Sequence, residues 1–282
     1  MQRGAMKRIA MRMVLKLIAI VPVLYLCVLT ALYAFQRPML YLNYSDTRGP
    51  VAAGFPEASV LHLATEDDER LVAWYVAPDR GRLLALYFHG NAGPLAIRGA
   101  VLSALTQNGM GVLAIDYRGF GGSTGSPSEE GLHHDAEAVY KKARDLGYAP
   151  NEILLVGESL GTGVAVNLAS RHEVAGVVLD SSYSSTLDVA SERYWMFPVS
   201  LLLKDRFRSD ELIQHVQAPI LMLHGDADRV IPIRFGEKLF SLAQRPKEFL
   251  RVAGAGHLVL TRPEGLAKLS EWMGRLGRGA DK

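Results

Sequence analysis

The chain has 282 residues, of which 49% are hydrophobic and 21% charged, ample apolar material for one large core. Its net charge of +2 is unevenly spread: Arg3, Lys7, Arg8, Arg12 and Lys16 precede the first acidic residue, so the body of the protein is slightly acidic and carries no basic nucleic-acid footprint. The single cysteine, Cys27, excludes an internal disulfide, and no C-x-x-C or H-E-x-x-H string offers metal-ligand spacing, so neither metal nor organic cofactor is expected.

Residues 1–16 form a basic flank. From Leu17 to Phe35 no residue is charged, and 19 helical residues span about 28 Å, close to the hydrocarbon thickness of a bilayer. The stretch predicts a transmembrane anchor. It is longer than a signal-peptide apolar region and lacks an A-x-A site near its end. The positive flank predicts a cytoplasmic N-terminus, with the remainder on the exocytoplasmic side, periplasmic in a bacterium. Residues 36–58, with three prolines and two glycines, read as a linker.

Residues 59–282 then read as one domain. Val60–Ala64 and Leu71–Val76 flank the polar run Glu66 to Glu69 and predict an antiparallel hairpin. Strand-like segments at Leu83–Phe88, Gly111–Tyr117, Ile153–Gly157, Val174–Leu179, Ile220–Leu223 and Glu248–Val252 alternate with helical patterns near 95–107, 127–146, 160–171, 234–243 and 263–276. This alternation predicts an α/β fold, a mainly parallel twisted sheet with helices on both faces. Ligands of such sheets bind at the carboxyl ends of the strands.

The pattern G-x-S-x-G occurs twice, at Gly157-Glu158-Ser159-Leu160-Gly161 and at Gly121-Gly122-Ser123-Thr124-Gly125. A nucleophile elbow needs a strand directly before the serine and a helix directly after it. Only Ser159 has both. Ser123 sits in a glycine-rich loop, and Ser126-Pro127-Ser128-Glu129 after it reads as a helix start with Ser126 as cap and Glu129 closing a capping box.

A serine hydroxyl attacks well only when a positioned base takes its proton and an acid orients that base. The base candidate is His257, in the glycine-rich turn after the last strand; His89 and His224, each at a strand end before a glycine, read as structural histidines. Three carboxylates compete for the acid's place: Asp228 first, Asp180 second, and Asp226 third, because Asp226 follows Gly225 and suits a turn-fixing role. The developing oxyanion needs two donors. The Leu160 amide opens the helix after the elbow, and the loop His89-Gly90-Asn91-Ala92-Gly93 offers the Asn91 amide, with Ala92 as the alternative.

Together these strings, with Asp116-Tyr117-Arg118-Gly119-Phe120-Gly121 and Val230-Ile231-Pro232, resemble the α/β-hydrolase superfamily, and within it membrane-anchored serine hydrolases that include lysophospholipases and protein depalmitoylases. The resemblance implies Ser159 as nucleophile, Asp228 as acid and His257 as base, and an α/β-hydrolase fold with a short cap at about 182–217. It implies hydrolysis of carboxylic esters or thioesters of lipid or acyl-protein type through an acyl-enzyme. An amidase or peptidase would use the same three residues, and a catalytically silent, membrane-tethered interaction domain is the reading from another class. The apolar run Tyr194 to Val199 and Leu201 to Leu203 within the cap suits an acyl chain or a bilayer surface.

Overall fold

The computed structural model of the chain describes residues 2–107 and 109–279; Asn108 and residues 280–282 of the expected domain lie outside the described residues. Helix α1 spans Gln2–Leu40. The sheet is built from β1 (Ser59–Ala64), β2 (Arg70–Val76), β3 (Leu84–Phe88), β4 (Gly111–Ile115), β5 (Ile153–Glu158), β6 (Gly176–Asp180), β7 (Ile220–Gly225) and β8 (Lys247–Val252). Helices α2 (Gly99–Thr106), α3 (Glu129–Asp145), α4 (Leu160–Ala169), α8 (Ile233–Leu242) and α9 (Pro263–Gly279) cover it, while α5 (Thr186–Arg193), α6 (Val199–Leu202) and α7 (Ser209–Leu212) lie in the cap between β6 and β7.

The strand order is β1-β2-β4-β3-β5-β6-β7-β8. The expected hairpin pairs β1 with β2 antiparallel, and β2 runs antiparallel to β4. From β4 onward every neighbour is parallel. Parallel strands joined by helices must be covered on both faces, which is why their sequences are continuously apolar. In β3, Leu84, Leu86 and Phe88 enter the core layer under α3 and α4, while Ala85 and Tyr87 enter the layer under α2 and α9. All five are fully buried. Since each crossover returns the chain to the same edge, the carboxyl ends of β3, β5, β6, β7 and β8 converge on one rim, and the loops that carry the candidate site lie there.

Helix α3 begins two residues later than the sequence predicts. Ser128, not Ser126, is its cap, in extended conformation with its Oγ accepting from the Gly131 amide at 3.1 Å. Glu129 does not close a capping box because its carboxylate is taken by the Arg206 amide at 2.5 Å, and the Glu129 amide itself donates to Asp205. A long-range partner thus overrides the local cap.

Residues Met11–Leu40 of α1 are long and apolar enough to cross a membrane, which fits a single-pass membrane protein. The helix continues through Pro38 to Leu40, into the stretch the sequence predicts as linker. Its last turns are held from outside: Gln36 accepts from the Lys204 amide at 2.8 Å, and Arg37 makes a bidentate pair with Asp205 at 2.9 and 3.1 Å. These ties to the cap hold the helix end beside Pro38, which has no N–H to donate to the preceding turn.

Candidate active site

Ser159 stands between β5 and α4 with φ 49° and ψ −117°, a left-handed backbone that a serine holds only under constraint. Its flanking glycines make this turn sterically feasible. A Cβ on Gly157 would lie 2.6 Å from the Gly161 carbonyl oxygen, and one on Gly161 would lie 2.1 Å from that of Phe88. The turn is pinned by the Ser159 amide donating to Asp180 O at 2.9 Å and by Thr162 Oγ1 donating to Ser159 O at 2.6 Å. The Ser159 hydroxyl makes no hydrogen bond to a protein group among the described residues and lines a cavity.

Asp228, on the loop after β7, accepts from His257 Nδ1 at 2.7 Å through Oδ2. Its Oδ1 is occupied by the amides of Val230 at 2.8 Å and Ile231 at 2.9 Å. Burial opposes the charge on Asp228, but the His224 ring 3.5 Å away and hydrogen bonds from His257 and the Ile231 amide outweigh it and hold the carboxyl well below the usual carboxylate range. Asp228 is therefore an anion at any working pH. An Nδ1–H pointing at an anion leaves His257 Nε2 as the basic nitrogen, the arrangement a general base requires.

Asp180 takes a different role from the one for which it competes in the sequence. It lies at the end of β6, fully buried, and accepts from the amides of Val259 at 3.0 Å and Leu260 at 2.8 Å. Ser181 Oγ accepts from the Leu258 amide at 3.0 Å. The two residues clamp the segment directly after His257. Ser159, Ser181 and Leu258 all have positive φ, so strain concentrates in the turns that meet here. Asp226 fixes the turn after β8 by accepting from the Gly254 amide at 2.7 Å. Ser123 Oγ donates to Asp116 O at 2.7 Å and accepts from the Val72 amide at 2.9 Å, a staple between loop and hairpin.

Leu160 opens α4, where an amide has no intrahelical acceptor. The amides of Asn91 and Ala92 also lack protein acceptors among the described residues, so both remain candidate donors. Their loop is tied to the end of α1: Asn91 Nδ2 donates to Leu40 O at 2.8 Å, the Leu42 amide to Asn91 O at 2.9 Å and the Gly93 amide to Leu42 O at 3.2 Å. Arg98 holds it from beneath, donating to Ala92 O at 3.0 Å while its Nε lies 3.5 Å from buried Glu158. In the elbow pattern Glu158 occupies only the variable position, and nothing local marks a glutamate that pairs with an arginine 60 residues earlier. His89 and His224 are buried structural histidines, with ring nitrogens 2.7 Å from Gly90 O and 2.8 Å from Ile231 O.

A cavity of about 490 Å³ opens beside Ser159 and Leu160. One wall is α1, through Leu29, Leu32, Met39 and Leu40; the other is the cap, through Val189, Tyr194, Phe197 and Leu202. No cluster of histidine, cysteine or carboxylate residues suited to a metal ion occurs among the described residues.

A family model for the alpha/beta hydrolase fold matches residues 86–208. An uncharacterised protein of Mycobacterium tuberculosis is 35% identical over 246 residues, covering 86% of this chain and 88% of that protein. The chain belongs to the α/β-hydrolase superfamily. Within it, the chain is 29% identical over 259 residues to a lysophosphatidylserine lipase, ABHD12, of Danio rerio, covering 76% of this chain and 68% of that protein. Among solved structures, an esterase of Pyrococcus furiosus superposes with a TM-score of 0.65 at 20% identity, over 83% of this chain and 96% of that one. The fold is that of a hydrolase with esterase and lipase relatives.

Proposed function

We propose that the protein is a membrane-anchored serine hydrolase that cleaves carboxylic esters or thioesters of long acyl chains through an acyl-enzyme. The observation that carries this reading is the 2.7 Å bond from His257 Nδ1 to an Asp228 whose other oxygen is locked by two amides, on the same strand-end rim as a serine on a strained elbow. His257 Nε2 takes the proton of Ser159 Oγ as the oxygen attacks the acyl carbonyl. The Leu160 amide and that of Asn91, or of Ala92, stabilise the oxyanion. His257 then returns the proton to the departing alkoxide or thiolate, and water enters by the same base to release the acid and regenerate Ser159.

The mostly apolar lining, with Leu29, Leu32, Val189, Phe197 and Leu202 in its walls, supports an acyl chain as the bound group, while Gln36, Thr186, Arg193 and Arg229 also line the cavity. The lysophosphatidylserine lipase among its relatives supports a single-chain phospholipid as the first substrate to try. The anchor is α1, with the basic flank cytoplasmic and the hydrolase domain exocytoplasmic. Full-length protein in detergent should hydrolyse a p-nitrophenyl ester and a lysophospholipid. The Ser159→Ala variant should lose both activities by a factor on the order of 10⁴ or more. Undiminished turnover by that variant contradicts the assignment.

A further inference from the structure

The uncharged stretch Leu17–Phe35 fixes how deep α1 can sit. Moving it two turns further through the membrane would carry Lys16 and Arg12 into hydrocarbon, which charge desolvation opposes. Yet the same stretch is in contact with the cap. Tyr25 stacks on Phe197 at 5.4 Å between ring centroids and donates its hydroxyl to Met196 O at 3.0 Å. Lys204 lies 4.3 Å from the centre of the Tyr33 ring. Leu29, Leu32, Gln36 and Leu40, spaced as one helical stripe, are half-buried against the domain. From residue 25 to residue 35 the helix rises about 15 Å, half a hydrocarbon core, with the cap alongside it throughout. An anchor at its natural depth therefore pulls the cap down with it.

The cap surface at that level is apolar. Trp195 is 78% exposed, Met196 58% and Leu201 79%. On α1 the next charged residue is Arg37, paired with Asp205, and Lys204 lies over Tyr33 near the same end; on the cap, exposed Arg193 and half-buried Arg206, which donates to Ser200 O at 2.9 Å, border the apolar set. We propose that Trp195, Met196 and Leu201 are immersed in the same leaflet as residues 25–35 of α1, and that the enzyme takes a bilayer-resident acyl lipid sideways into the cavity whose walls these two elements share. The inference rests on the membrane-anchor reading. It adds that the cap is a second, lipid-facing contact and that the substrate reaches Ser159 without leaving the leaflet.

The chain has three tryptophans, and Trp74 and Trp272 are only 2% and 3% exposed, so Trp195 alone can be reached by a quencher. Full-length protein is reconstituted in phosphatidylcholine vesicles with acyl chains brominated near their midpoint, and membrane integration is checked by alkaline carbonate extraction. Brominated lipid should quench the emission, aqueous iodide should not, and Trp195→Phe should remove the quenching. Carbonate-resistant protein quenched by iodide and not by bromolipid overturns the inference and leaves the anchor intact. Release by carbonate overturns the anchor, and the inference with it. A second variant, Trp195→Asp, should lower turnover of vesicle-embedded lysophospholipid by about tenfold or more while leaving a soluble p-nitrophenyl ester unaffected. Equal loss on both substrates counts against the lipid contact.

Discussion

On the histidine side of the site, Asp228 and Asp180 between them accept the amides of Val230, Ile231, Val259 and Leu260, and Ser181 accepts that of Leu258. On the cap side, the cavity wall is mostly apolar side chains of α1 and α5–α6, with Gln36, Thr186 and Arg193 among them, joined at the level of Tyr25 by one ring stack and one hydrogen bond and at the level of Gln36 and Arg37 by a few polar ties. Proton transfer needs a base held to a fraction of an ångström, and only directional bonds in a water-poor site provide that. Holding an acyl chain needs shape and apolarity, which many side chains supply interchangeably. The two sides should therefore respond to substitution in different currencies: rate on one, substrate range on the other.

The sharpest break should come at Asp228→Asn, which keeps the shape but no longer holds the His257 tautomer; kcat should fall by roughly 10⁴ with little change in KM. A loss of only a few-fold would mean that another carboxylate orients the histidine. Asp180→Ala should come next. It frees the segment after His257 without touching the imidazole, so kcat should fall by about 10². Asp226→Ala, affecting a more distant turn, should leave kcat nearly unchanged, and parity between the two would erase the distinction between clamp and turn.

Leu32→Trp should act on the other side, reducing turnover of long-chain esters by roughly tenfold while short esters are unaffected, in a chain-length series. A uniform drop across the series would show that α1 does not wall the acyl site. The smallest effect concerns stability. Burial lifts Asp116 and Asp180 to about 7, so both fold more readily when protonated. That contribution is complete below the ordinary value of 3.8 and fades as pH rises through about 7. Asp228, held low, does not titrate in that window. Thermal unfolding should thus show a higher Tm near about pH 5.5 than near about pH 8.5, and Asp116→Asn should reduce the difference.

The same contrast explains what could be read from the sequence. The strand segments, the parallel sheet and the strand–turn–helix setting of Ser159 were legible because local rules suffice: glycine spacing and apolar runs. Ser123 could be set aside on context alone, and its hydroxyl is indeed consumed by Val72 and Asp116. Asp228 could be ranked above Asp180 but not separated from it, since each follows a strand and only the fold shows which amides each accepts. The late start of α3, the Arg98–Glu158 pair and the docking of α1 on the cap were not legible. All three depend on partners between about 60 and 171 residues away, for which a single chain carries no periodic signal. The substrate side is built almost wholly of such long-range contacts.

Which serine becomes acylated decides the proposed mechanism, and the two copies of G-x-S-x-G provide an internal control. Full-length protein treated with a fluorophosphonate, digested and mapped by mass spectrometry should carry the adduct on the peptide containing Ser159, with Ser159→Ala unlabelled and Ser123→Ala labelled as the parent. An adduct on the Ser123 peptide, or labelling that survives Ser159→Ala, would contradict it.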